Sequence, residues 1–419
     1  MNKIRINLKD LLLCMSNAQD LVSPNLSNHH QQVAYLAFRL AEQMKLSIER
    51  QENIFFAALV HDIGAFSTKE RLEIIEKEPF TVHNHAFKGA KLLEEFKPLK
   101  HSANIIKFHH LPWNYGEGRF YMGEEVLLGS HIIHLADRTC ALLPSNAGVI
   151  SALPEILSKI KEQSGSVFQP ELVEALFDLS KKEFVWLDLI SNSPLKMIRD
   201  IDLLSILTLE IDDIVDLTYI FSHIIDFRSS FTARHSAGVA KTAQKIAELN
   251  GFSPYECKMM LIAGYLHDLG KIAISNDILE KPAKLNEEEF NEIRTHTYYT
   301  YHLLDTIEQF KTINIWASYH HEKLNGRGYP FHLSGDELPL GSRIMAVADV
   351  FTAVTENRPY RNGMSDISTK KVLNDMVING DLDSKVVQIV TDNFEMINNI
   401  RESAQQIAAK QFNRFMLYL

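Results

Sequence analysis

Histidines and aspartates run along this chain in one order, twice. In the second half they are His235, His267-Asp268, His296, His320-His321 and Asp349; in the first, His29, His61-Asp62, His85, His109-His110 and Asp137. Shifting the sequence by 206 residues lays Asp20 on Asp226, His29 on His235 and His61-Asp62-Ile63-Gly64 on His267-Asp268-Leu269-Gly270. The register then drifts around a longer insert at 275–291 and recovers where FHHLPWNYGEG answers YHHEKLNGRGYP. A period near 200 residues is that of tandem domains, since solenoid units repeat every ~20–50.

The rest of the sequence agrees with two cores. A chain of 419 residues exceeds one ordinary domain, and 46% apolar with 23% charged residues is a globular composition. QVAYLAFRLAEQMKL, VAKTAQKIAELNGF and TKKVLNDMVI repeat apolar residues at helical spacing, while strand-like alternation is scarce. The expectation is an all-α chain, a tandem duplication of two helical bundles over 1–190 and 200–419. The boundary is placed within 187–204, where SNSPLK supplies turn chemistry. Gly64 and Gly270 are read as glycines closing helices.

A formal charge of −10 argues against wrapping a polymeric nucleic acid. No apolar run reaches the ~18–20 residues that cross a bilayer, and the N-terminal KIRINLKDLLLCM reads as a first helix, not a signal peptide. Cys14, Cys140 and Cys257 lie far apart, as buried thiols of a reducing compartment would. A cytoplasmic protein is expected.

The chemistry concentrates where apolar helices end in ligand-type residues. Met259–Leu266 leads into His267-Asp268, and MAVA at 345–348 leads into Asp349. A buried carboxylate needs a compensating partner. A lone His-Asp pair is more often a satisfied core hydrogen bond, but here further histidines recur at comparable places. Imidazoles with carboxylates and no thiolate favour Fe, Mn, Zn or Ni over Ca or Mg. Seven such ligands suit two metals sharing a carboxylate such as Asp268. Neighbours His320 and His321 diverge by about 100° on a helix, so they serve two ions, or one supports the other.

Only the second half adds Lys271 and the Asn325–Pro330 loop. Lys271 could reach a phosphate or leaving oxygen, or be a solvated lysine at a helix end. In the loop, Gly328 permits unusual backbone angles and Pro330 extends Tyr329, which could stack on a base. Arg358 and Arg361 suit phosphate contacts, with a solvated pair as the alternative.

His267-Asp268-Leu-Gly-Lys271, His320-His321-Glu322 followed by Gly326-x-Gly328-Tyr329-Pro330, and Ala348-Asp349-Val-Phe resemble the HD-GYP phosphodiesterases, an all-helical branch of the metal-dependent HD-domain phosphohydrolases. The resemblance covers about 205–400. It implies hydrolysis of a cyclic dinucleotide, cyclic di-GMP or 3',3'-cGAMP, to the linear dinucleotide and on to mononucleotides, by attack of a metal-bridging hydroxide. It implies His235, His267, Asp268, His296, His320, His321 and Asp349 as metal ligands, with Asp268 and Lys271 at the catalytic step. Gly328, Tyr329, Pro330, Arg358 and Arg361 would bind substrate.

Three positions depart from the family pattern. Asn325 and Thr352 stand where the family has aspartates, and the loss at Thr352 bears on base preference and keeps cGAMP open. Phe231 replaces a glutamate that holds a third metal in some members, so two divalent transition metals are expected, Fe or Mn ahead of Ni or Zn. The first half resembles a degenerate HD domain. It has Ala65 for the lysine and lacks the Tyr-Pro loop. His29, His61, Asp62, His85, His109, His110 and Asp137 form either a second metal site without activity or a hydrogen-bonded relic, and a regulatory or homodimer-forming role is expected. The competing readings are a receptor that binds without cleaving and another HD-type nucleotide phosphohydrolase.

Overall fold

The computed structural model describes residues 4–21, 28–67, 70, 83–144, 148–198, 207–228, 234–281, 283–357 and 362–417. Phe231, Arg358 and Arg361 lie outside the described residues. The chain divides into two compact units, Asn7–Thr208 and Leu209–Tyr418, the second joined by the N-terminal residues up to Ile6. The division falls beyond SNSPLK. Pro194 and Leu195 are buried in a short turn that packs on a helix of the first unit, so this apolar pair belongs to that core.

The first unit is built from α1 (Leu8–Asp20), α2 (His29–Gln43), α3 (Ile48–Leu59), α4 (His83–Leu93), α5 (Lys100–Ile106), α6 (Leu128–Ala141), α7 (Val149–Glu162), α8 (Pro170–Ser180) and α9 (Glu183–Leu189). The second has α10 (Ile211–Asp226), α11 (His235–Leu249), α12 (Pro254–Leu266), α13 (Asn276–Leu279), α14 (Glu287–Asp305), α15 (Lys311–Ser318), α16 (Leu340–Thr355), α17 (Asp366–Ile378), α18 (Ser384–Asp392) and α19 (Phe394–Met416). The fold is all-α. The described strands are two-residue pieces, such as Phe120–Tyr121 paired antiparallel with Glu124–Glu125.

Helix α12 shows how sequence sets the site. Ser253 caps its start, accepting from the Glu256 amide while Glu256 accepts from the Ser253 amide at 2.9 Å, and Pro254 fits the first turn. Every residue from Met259 to Leu266 is buried, as an all-round apolar helix must be. A Cβ on Gly264 would lie 2.4 Å from the Ala240 Cα, so α11 and α12 cross closely. The helix therefore ends deep in the core, and the next two residues are His267 and Asp268.

Gly64 and Gly270 have a different purpose from the one their positions suggest. Neither adopts a left-handed backbone. A Cβ on Gly270 would meet the His296 carbonyl oxygen at 2.0 Å, and one on Gly64 would meet that of His85 at 2.1 Å. In each unit the segment after the His-Asp pair presses against the helix carrying the next histidine, and only glycine permits that approach.

Candidate metal centre

In the second unit five separate elements deliver side chains to one buried spot. Asp268 is at its middle. Its Oδ1 lies 3.4 Å from His296 Nε2 and 4.0 Å from His320 Nε2, and its Oδ2 lies 3.3 Å from His267 Nε2. His235, the first residue of α11, places Nε2 3.2 Å from Asp349 Oδ1 on α16. His321 Nδ1 sits 4.0 Å from the other Asp349 oxygen. His296, His320 and His321 form one group able to share an ion, and His235, His267 and Asp268 form another. The seven residues of the sequence expectation are thus brought together. The adjacent histidines divide the work: His320 faces Asp268 and His321 leans toward Asp349.

The tautomers are set by the backbone. Nδ1–H of His267, His296 and His320 donates to the carbonyl three residues earlier, at 2.7, 2.5 and 2.6 Å, which leaves each Nε2 lone pair directed inward. Burial pushes His296 down to about 3 and His321 to about 4, and His320 well below its ordinary range, so these rings are neutral. Burial opposes charge on His235 too, but the Glu356 and Asp349 carboxylates outweigh it and raise that ring to about 10. Asp268 stays ionised despite burial, held well below the usual range by His267 and Lys271.

Lys271 is not a solvated lysine. Its Nζ lies 2.6 Å from Asp268 Oδ2, and that carboxylate outweighs the burial that would discharge it. Arg228 holds the turn, donating to the carbonyls of Lys271 at 2.7 Å and Ile274 at 2.8 Å. Beside it the loop is fastened by Glu322, whose two oxygens accept from the amides of Phe331 at 2.6 Å and Leu333 at 3.0 Å. Tyr329 packs with its ring 5.0 Å from that of His321, and the Arg294 guanidinium lies 4.9 Å from the Tyr329 ring.

The loop corrects one expectation and accounts for one departure from the family pattern. Gly326, with φ 72°, takes the left-handed turn; Gly328 does not, and is needed because a Cβ there would meet the Glu322 Cα at 2.4 Å. Asn325 donates to the Asp381 carboxylate at 2.9 Å, where an aspartate would bring like charges together. Thr352, on α16, is fully buried.

The first unit repeats the cluster with different neighbours. Asp62 Oδ1 lies 3.0 Å from His85 Nε2 and 3.6 Å from His109 Nε2, and His61 Nε2 lies 3.5 Å from Asp62 Oδ2. His29 Nε2 meets Asp137 Oδ1 at 3.0 Å, and His110 joins the Asp62, His85 and His109 group. Ala65 stands where the second unit has its lysine.

A model described as an HD domain matches residues 219–386, and another with the same description matches 26–142. A 3'3'-cGAMP-specific phosphodiesterase (1) of Vibrio cholerae is 31% identical over 397 residues, covering 93% of this chain and 92% of the relative. This chain belongs to the HD-GYP family. The cyclic di-GMP phosphodiesterase response regulator RpfG of Xanthomonas campestris is 40% identical over a shorter stretch, 33% of this chain and 37% of that protein. A crystal structure of a Vibrio cholerae cyclic GMP-AMP specific phosphodiesterase shares the fold, with a TM-score of 0.66 and 24% identity over 94% of this chain and 98% of that one.

HD domains are metal-dependent, and the donors present fit a metal. In this HD-GYP chain His267 Nε2 and Asp268 Oδ1 are buried without a hydrogen-bond partner, as is His61 Nε2. Leaving such atoms unsatisfied costs roughly 1–3 kcal/mol each, which a cation would offset. Sequence reasoning missed Glu356, whose Oε2 lies 3.2 Å from His235 Nδ1, and Arg294 behind Tyr329. Glu356 had a faint signal, a lone carboxylate two turns beyond Asp349. Arg294 had none. Among histidines outside the two repeated sets, His101, His302 and His332 are exposed, whereas His131, His134 and His223 are buried. Among the described residues no helix is long and apolar enough to cross a membrane.

Proposed function

We propose that this chain hydrolyses a cyclic dinucleotide in its second unit, with His235, His267, Asp268, His296, His320, His321 and Asp349 holding two divalent ions. The observation that carries this reading is Asp268, whose two oxygens face two histidine groups while one also pairs with Lys271. Iron or manganese, ahead of nickel or zinc, suits the nitrogen and oxygen donors. Such ions supply Lewis acidity to a phosphodiester and lower the pKa of an attacking water.

The protein's own groups do the rest. Lys271 is held charged at the edge of the cluster, placed to meet the developing charge on a phosphate or leaving oxygen. Tyr329, braced by His321 and Arg294, offers a ring for a base, and the backbone at Gly328 and Pro330 shapes the loop beneath it. Arg358 and Arg361 would take phosphate oxygens.

The mixed guanine–adenine ring, 3',3'-cGAMP, is the substrate we favour. Three relatives named cGAMP-specific align along 93%, 85% and 45% of this chain, whereas those named for cyclic di-GMP align along 24–36%. The test incubates metal-loaded protein with each dinucleotide and separates the products. Linear product from cGAMP ahead of cyclic di-GMP is expected. Absence of linear product from both refutes hydrolysis, and tight binding with intact ligand recovered would establish a receptor instead.

A further inference from the structure

The first unit contains an eighth ligand-type side chain that the second lacks. His30 is buried, and its Nδ1 meets Asp20 Oδ1 at 2.5 Å. Its Nε2 points at Asp62 Oδ2 from 4.0 Å, too far for a hydrogen bond, and has no partner. His30, His61 and Asp62 offer three donor atoms within 4.8 Å of one another.

The same register that aligns the two clusters gives this its meaning. His30 falls on Ser236 and Asp20 on Asp226. In the second unit Ser236 donates to Asp226 at 2.8 Å, while Lys271 occupies Asp268 Oδ2. In the first unit the lysine is Ala65, and the corresponding oxygen of Asp62 faces the His30 ring instead. With Nδ1 engaged by Asp20, the ring presents Nε2 buried, unpartnered and facing the Asp62 carboxylate, an arrangement that a cation between the two would satisfy.

We propose that the first unit binds divalent metal with His30 as an additional ligand, oriented by Asp20 and standing where the second unit keeps its lysine. Two ions there would be held by His29, His30, His61, Asp62, His85, His109, His110 and Asp137. The Arg138 guanidinium, 2.8 Å from Asp137 Oδ2, occupies the remaining oxygen. The result is a metal centre closed on the side from which the second unit would meet a phosphodiester, so it holds metal without turning substrate over.

The experiment uses the full chain carrying His267→Gln and Asp268→Asn, which disables the second centre, loaded with Mn2+ or Fe2+ under anaerobic conditions and desalted. Elemental analysis gives metal per chain, and competition with a chromophoric chelator gives affinity. At least one ion per chain should remain, and adding Asp62→Asn should remove it. Adding Asp20→Asn should weaken affinity about 10–100-fold, and His30→Ser, the residue of the other unit, by at least as much. A chain without metal, or one whose affinity neither Asp20→Asn nor His30→Ser alters, overturns the proposal. Asp20→Asn keeps side-chain volume, so it still reads out if thermal melts show that His30→Ser is misfolded. None of these measurements depends on turnover, so they stand apart from the hydrolysis reading.

Discussion

Substituting Gly270 by alanine should separate the scaffold from the chemistry. The added Cβ would lie 2.0 Å from the His296 carbonyl oxygen and 2.8 Å from the Thr300 amide nitrogen, both backbone atoms of α14. Ordinary contact begins near 3.4 Å, so the helix or the turn must give by more than 1 Å. That displacement falls on His296, now 3.4 Å from Asp268, and on Lys271, the next residue. Overpacking of this kind costs about 1–3 kcal/mol of stability, and a misplacement of about 1 Å at reacting groups costs roughly 100-fold in rate. Gly64→Ala supplies the control: its Cβ meets the His85 carbonyl at 2.1 Å, the same strain in the other unit. Steady-state hydrolysis of cGAMP, metal content and thermal melts should show both variants destabilised, with only Gly270→Ala losing turnover. Wild-type turnover in a folded Gly270→Ala chain would refute the idea that this approach positions His296 and Lys271.

Four further outcomes follow from the site and its surroundings. Lys271→Met should keep its metal but lose about 100–1000-fold in kcat, measured with elemental analysis alongside kinetics. Glu356→Gln should weaken metal affinity about 10–100-fold by loosening the His235 ring, read by chelator competition. Glu322→Ala leaves two buried-side amides unpaired and should speed hydrogen exchange at Phe331 and Leu333 while raising KM. His223, stacked on Phe227 at 4.6 Å, is pushed by burial down to about 4. The unfolded chain takes up that proton near pH 6.5 and the folded one only near 4, so stability is fully present above 6.5 and falls as pH drops toward 4. His223→Phe should flatten that part of the melting profile.

The duplicated His/Asp order made the helical class, the doubling and the two buried His/Asp clusters readable, because one pair alone is ordinary but the same series of ligand-type residues recurring in one order twice is not. Side chains acting through another residue were harder to read. Glu356, two turns beyond Asp349, orients His235 from 121 residues away in sequence, and Arg294 reaches Tyr329 from another helix; neither relation has a fixed sequence spacing. Register pairs His29 with His235 and cannot say that the neighbouring His30 also turns toward Asp62. The glycines were located correctly and explained wrongly. A helix end and a backbone contact leave the same letter in a sequence, and only the distance to the neighbouring carbonyl tells them apart.

The Glu322 clamp has a thermodynamic consequence. A loop that orders only around its ligand subtracts its lost conformational freedom from affinity, about 1–2 kcal/mol for each residue fixed. Here one carboxylate, next in sequence to the histidine pair, grips both Phe331 and Leu333 through the protein's own hydrogen bonds. The ordering is then completed when the protein folds, and a dinucleotide arriving at Tyr329 meets a surface already in its binding shape. Affinity should therefore depend little on temperature-driven loosening of this loop, and association should proceed without a slow closing step.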